Sequence, residues 1–162
     1  MKFPLRLAGG AVLALAFAGA FSLMSMILDR DPPIIYEGAR ALSASVPQGE
    51  AIDVEFKVFR ERICASEAKR WLSDADQVRH AIPSYTVGLQ LLAGRETYRR
   101  SITTPAATAV GRACYQVVLN YACNIFHRLG APIVVESPPI CFDVTPATSL
   151  VPLGLPPLPD PR

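Results

Sequence analysis

From Leu7 to Leu28 the chain runs for 22 residues without a charge. As a helix rising about 1.5 Å per residue, that run reaches roughly 33 Å, enough for a hydrocarbon core of about 30 Å. It therefore predicts a transmembrane helix over 7–28, with a short cytoplasmic N-terminus over 1–6. Asp31-Pro32-Pro33 ends it, because proline cannot continue a helix and restricts the residue before it. Residues 29–33 are then a linker, and one domain of ordinary size follows.

Ala18-Gly19-Ala20 would serve as a signal-peptide cleavage site, leaving a mature chain that begins at Phe21. The apolar run, however, continues to Leu28, so an uncleaved anchor is the expectation. The first 63 residues hold no cysteine, which excludes a lipoprotein anchor. Lys2 and Arg6 precede the span and only Arg30, between two aspartates, follows closely. The positive-inside rule then places the N-terminus in the cytoplasm and the domain outside, periplasmic or extracellular. Gly10, Ala14, Ala18 and Ser22 share one face of the helix, a spacing that would let two copies pack closely as a homodimer.

Beyond Leu28 the 14 remaining basic residues balance the 14 acidic ones. A neutral domain lacks the positive excess that nucleic-acid binding uses, so that class is set aside. Membrane is the expected partner through the helix, together with a protein or envelope ligand that the sequence does not specify.

Over 34–146 the periodicity is that of strands. Ile52, Val54, Phe56 and Val58 alternate with Asp53, Glu55 and Lys57, and Tyr115, Val117, Leu119, Tyr121 and Cys123 line one face of a second strand. Lys69–Ser73 and Val78–Ile82 flank Asp74-Ala75-Asp76-Gln77 as a hairpin. Ser45–Glu50 reads as a turn, and Ile140, Phe142 and Val144 as a last strand. About seven short strands in such a length predict an all-β, antiparallel, two-sheet sandwich behind the helix. From 147 to 162, Pro152, Pro156, Pro157, Pro159 and Pro161 predict a disordered, polyproline-like tail, in which Pro156 and Pro159 have PxxP spacing.

Tyr121-Ala122-Cys123 resembles the Tyr-x-Cys of the immunoglobulin tyrosine corner. That resemblance implies Cys64 as the inter-sheet partner of Cys123 and Trp71 as a core tryptophan, although Trp71 follows Cys64 by fewer residues than the family pattern has. The anchor, the Asp-Arg-Asp-Pro-Pro segment and the Tyr-x-Cys-Asn strand also resemble small single-pass membrane proteins of bacteria and their phages. The likeness implies an immunoglobulin-like ectodomain and no particular activity.

Four cysteines in an exported domain predict two disulfides. Parity selects Cys64 with Cys123, both on core-facing registers, and Cys114 with Cys141, both facing outward. A zinc set of Cys114, Cys123, His127 and Cys141 is the weaker alternative, since no C-x2-C pair supports it. His80 and His127 offer no nucleophile motif, and Asp74 and Asp76 read as turn formers. Glu61 and Glu67, among Arg60, Arg62, Lys69 and Arg70, read as a solvated, self-neutralising edge, with an anion-binding surface as the sharper reading. No phosphate loop, dinucleotide motif or calcium loop is present, so no cofactor is expected. The function expected from these features is a non-enzymatic, membrane-anchored binding or structural module. An accessory subunit of a membrane complex is the alternative, with an exported hydrolase far behind.

Overall fold

The computed structural model describes residues 3–88 and 93–147. The proline-rich tail call for 147–162, with its PxxP spacing, falls outside them except for Ala147. Helix α1 spans Phe3–Leu28, and its side chains from Gly10 onward are exposed along an apolar surface. A helix apolar all round has no stable place in water, which is consistent with a membrane environment.

Pro32 and Pro33 deliver the chain into β1 (Ile34–Ala41). A short β2 (Ser45–Pro47) and the long β3 (Ala51–Arg60) follow. β4 (Ala65–Ser73) and β5 (Arg79–Val87) form the hairpin expected around Asp74. β6 (Gly94–Thr103), β7 (Gly111–Ala122), a one-turn helix α2 (Ile125–Arg128), β8 (Ile133–Glu136) and β9 (Ile140–Thr145) complete the chain. One sheet has the order β1-β3-β6, and the other has β2-β9-β7-β4-β5 with β8 also on β7.

The two sheets bury the faces that alternation assigns to them. Ile52, Val54, Phe56 and Val58 of β3 meet Tyr115, Val117, Leu119 and Tyr121 of β7, all buried. Ile140, Phe142 and Val144 join them from β9. The second sheet curls as a half-barrel. Its curl has a local counterpart in β7, whose free edge is divided between β9 over Gly111–Tyr115 and β8 over Val118–Tyr121. Buried Ser137 fills the gap between them, donating its backbone N–H to the Val117 carbonyl and accepting the Val117 N–H on its hydroxyl.

The structure corrects the sequence reading in several places. Nine strands are present among the described residues, not about seven. Ser45–Pro47 is a strand, because burying Val46 beside Val144 outweighs the turn preference of Pro47 and Gly49. It also runs parallel to β9, so the fold is not purely antiparallel. Trp71 is no core residue: it lies half-buried on the outer face beneath the Arg79 guanidinium, while Ala68 and Leu72 face inward.

Both disulfides pair as parity proposes, Cys64 with Cys123 and Cys114 with Cys141, but neither crosses between the sheets. β3 ends at Arg60 in one sheet and β4 begins at Ala65 in the other, so the parity of β3 does not extend to Cys64. Ala65 is the register partner of Ala122, and Cys64 and Cys123 occupy the next rung of that ladder, with Cα atoms 4.7 Å apart. Cys114 and Cys141 are direct register partners on β7 and β9. Strand β7 is thus stapled near both ends, to a different neighbour at each.

Asp74 is more than a turn former. Its buried carboxylate accepts the backbone N–H of Asp76, Val78 and Ala109 and meets His80 Nε2 at 2.7 Å. The hydrogen bond to His80, helped by the backbone donors, holds its pKa at about 2 against an ordinary 3.8. A depressed carboxylate pKa stabilises the fold above the ordinary value, and that stabilisation is lost as pH falls through the native one. Asp74→Asn should therefore lower the urea midpoint near neutrality, and the difference from wild type should shrink as pH falls from about 4 to about 2. A difference that stays constant over that range would remove Asp74 from the acid response.

Candidate functional site

Along β6 the core-facing register positions opposite Val54, Phe56 and Val58 are Arg100, Tyr98 and Glu96. Three inward positions on an edge strand are thus aromatic or charged. Across from them stand Tyr85 and Val87 of β5, which is the edge of the other sheet. A cleft results between the layers, lined also by Ile34, Arg60, Ser66, Leu119 and Tyr121, and holding a cavity of about 30 Å³. At roughly 10–15 Å³ per water, that admits a couple of waters or the head of a carboxylate, and nothing drug-sized.

Aromatic rings and guanidinium groups alternate around the opening. Tyr98 stacks on Phe56 at 5.2 Å between centroids, and Phe56 leans on Tyr36 at 5.9 Å. The Arg100 guanidinium lies 5.3 Å from the Tyr85 ring and 5.7 Å from Tyr98, while Arg70 covers Tyr85 at 4.9 Å. Arg70 also donates to the Pro83 carbonyl. Such cation–ring contacts hold the arginines without neutralising them.

Arg60 sits deepest. Its side chain is only 8% exposed, and one amino group donates to Glu96 Oε2 at 3.0 Å. Its Nε has no hydrogen-bond partner among the described residues. A buried guanidinium donor left unmatched is costly, and buried polar groups are as a rule hydrogen-bonded. The Tyr121 hydroxyl lies beside Arg60 and Ser66, and burial pushes its pKa up to about 12, so the phenol stays protonated. Burial raises Tyr98 and Tyr36 as well. The cleft therefore presents positive charge and neutral hydroxyls, opposed by one carboxylate, Glu96, which is 42% exposed.

The charged cluster read from the sequence as a self-neutralising edge is dispersed by the fold. Arg60 turns inward to the cleft, Arg62 pairs with Asp29 at the foot of α1, and Arg70 covers Tyr85. The change of sheet between β3 and β4 separates residues that are adjacent in sequence. Elsewhere Arg40 and Arg99, from strands on either side of β3, close over buried Glu55 and hold its carboxyl below the ordinary range.

All four cysteines are in disulfides, so the alternative zinc set of Cys114, Cys123, His127 and Cys141 does not exist as ligands. His127 is buried, with its Nδ1 accepting the Cys123 N–H. His80 is committed to Asp74. Gly10, Ala14, Ala18 and Ser22 lie exposed on α1. Sequence reasoning missed Tyr85, Glu96, Tyr98 and Arg100. Glu96-Thr97-Tyr98-Arg99-Arg100 has no apolar alternation, so nothing in that run tells which face is inward.

No family model matches the chain, and no curated protein matches it. Among solved structures, the alkylpurine DNA glycosylase AlkC of Pseudomonas fluorescens, bound to abasic-site DNA, is 10% identical with a TM-score of 0.45. It covers 75% of this chain, which spans only 33% of that protein. The bacterial superantigen toxic shock syndrome toxin-1 is 9% identical with a TM-score of 0.37, covering 67% of this chain and 98% of its own. Spo0M, a sporulation control protein of Bacillus subtilis, is 14% identical with a TM-score of 0.29 over 70% of this chain and 50% of that one. These likenesses are too slight to carry an argument about fold or activity.

Proposed function

We propose that the chain is a non-enzymatic binding module, held outside the cytoplasm by α1, whose interlayer cleft receives a small anionic group of the size of a carboxylate. The observation that carries this reading is Arg60, buried at the base of the cleft with Nε unmatched. Glu96 occupies one amino group and leaves that donor for a ligand. Arg100 at the rim adds a second positive charge, and Ser66 and Tyr121 add hydroxyls. An immunoglobulin-like sandwich is the finer form of the fold in this proposal. Two packed layers and Tyr121-Ala122-Cys123 support it, whereas an in-sheet Cys64–Cys123 bridge is a departure from that pattern.

Sodium acetate, titrated against sodium chloride at constant ionic strength, tests the cleft in the full chain in detergent. Acetate should raise the thermal midpoint of the wild type above its value in chloride, as a ligand of the native state must. The rise should vanish in Arg60→Gln and shrink in Arg100→Gln, which is exposed and leaves the core intact. Equal midpoints in the two salts, or a rise indifferent to both variants, would remove the anion reading. Export is tested separately by a reporter fused after Arg162: activity confined to the cytoplasm would overturn the topology.

The accessory-subunit reading finds support in the exposed Gly10, Ala14, Ala18 and Ser22 face, which could equally pack on another membrane protein or on a second copy. A stoichiometric membrane partner recovered in mild detergent would favour it.

A further inference from the structure

The foot of α1 does not dangle from its domain. Arg62 donates to both oxygens of Asp29 at 2.9 and 2.7 Å and also to the Asp31 carbonyl. Asn124 donates to the Met26 carbonyl at 2.9 Å, and Arg30 to the Ala131 carbonyl at 2.8 Å. Since His127 Nδ1 accepts the Cys123 N–H, the neutral ring carries its proton on Nε2, which donates to the Asp29 carbonyl at 3.0 Å. The last helical turn is therefore clasped by two connections, β3–β4 and β7–β8. The Cys64–Cys123 bridge joins those same two connections.

This clasp fixes the depth of what surrounds it. Asn124 touches a carbonyl within one turn of the helix end, and a turn is about 5.4 Å. If α1 spans the bilayer, the residues next to Asn124 lie within several ångströms of the boundary between acyl chains and headgroups. Exposed apolar side chains stand on both connections at this point. Ile63 is 43% exposed, Ile125 54% and Leu129 76%, the last being the most exposed large apolar side chain of the described domain. Arg128 is exposed among them.

We infer that α2 and the β3–β4 connection form a second membrane contact, with Ile63, Ile125 and Leu129 seated in the lipid interface around the base of α1. Arg128 lies at the level of the lipid phosphates. Short apolar segments flanked by cations bind at this depth, burying about 5–10 Å into the boundary. Continuity with the helix is what selects lipid as the occupant: the collar is held against α1 by direct hydrogen bonds. The seat makes the domain stand on the bilayer in one orientation instead of swinging on a tether. The inference rests on the membrane-anchor reading and is independent of the anion cleft.

Single tryptophans placed in the full-length chain carrying Trp71→Phe, reconstituted in phosphatidylcholine vesicles with bromine on the acyl carbons nearest the headgroup, test it. Phe21→Trp reports the helix. Leu129→Trp and Ile125→Trp report the collar, both at exposed positions that tolerate the change. Val110→Trp, 50% exposed and ahead of β7 at the opposite end of the domain, is the control. The collar probes should lose emission comparably to Phe21→Trp, and Val110→Trp should lose none. Quenching of Phe21→Trp with both collar probes as bright as Val110→Trp overturns the seat and leaves the anchor standing. If Phe21→Trp is also unquenched, anchor and seat fail together.

Discussion

Replacing Cys64 and Cys123 together by alanine is expected to lower the stability of the domain by about 4 kcal/mol. The bridge spans a sequence separation of 59 residues, and the chain-entropy model assigns a closed loop of that length roughly 4 kcal/mol. The same model gives the Cys114–Cys141 bridge, with a separation of 27, about 3.5 kcal/mol. The two bridges should differ in more than loop length. Cys64–Cys123 closes the end of β7 that carries the clasp on α1, so its loss should also loosen Asn124 and His127 from Met26 and Asp29. Cys114–Cys141 pins β7 to β9 at the far end and should leave the clasp untouched. Urea unfolding followed through Trp71, the single tryptophan, reads both stability losses. Domains of this size have about 5–15 kcal/mol in total, so the larger loss should be plain in the midpoint. Unchanged midpoints in the Cys64→Ala/Cys123→Ala chain, or the same midpoint for wild type with and without reductant, would contradict a stabilising role for the bridge.

Phe56→Ala should cost about 3–5 kcal/mol, the usual range for removing a buried phenylalanine ring. Phe56 is 2% exposed at the middle of β3, with Tyr36 and Tyr98 against its ring. Its removal opens a void beneath Tyr98, so the effect reaches the cleft as well as the core. Phe56→Leu keeps much of the volume and should cost about 1 kcal/mol, with most of the acetate response retained. Phe59→Ala, on the outer face of the same strand and only half-buried, is the comparison that separates core from surface. Equal losses for Phe56→Ala and Phe59→Ala would mean that β3 does not present the face described here to the second sheet.

What the sequence determined by itself was set by local periodicity. An uncharged run long enough to cross a membrane, strands whose apolar residues recur every second position, and a hairpin around Asp74 are consequences of short-range chemistry. Each appears in the structure as α1, β3, β7, β9 and β4–β5. The Cys114–Cys141 pair was legible for a related reason, because both residues have the outward parity of their strands, and that pairing leaves Cys64 for Cys123, although the parity first assigned to Cys64 does not carry across the change of sheet. What parity could not supply is which strands are neighbours. That depends on where the chain changes sheet, and the change occurs between Arg60 and Ala65, in four residues with no distinguishing pattern. From it follow the in-sheet position of Cys64–Cys123, the outward turn of Trp71 and the dispersal of Arg60, Arg62 and Arg70 to three separate places. Strand β2 was hidden because three residues are too few for a period, and only its pairing with β9 makes a strand of Ser45–Pro47. The cleft was hidden more deeply. Glu96, Tyr98 and Arg100 read like an exposed face, and only the packing of two sheet edges that do not pair turns that face inward and leaves Arg60 a donor to spare.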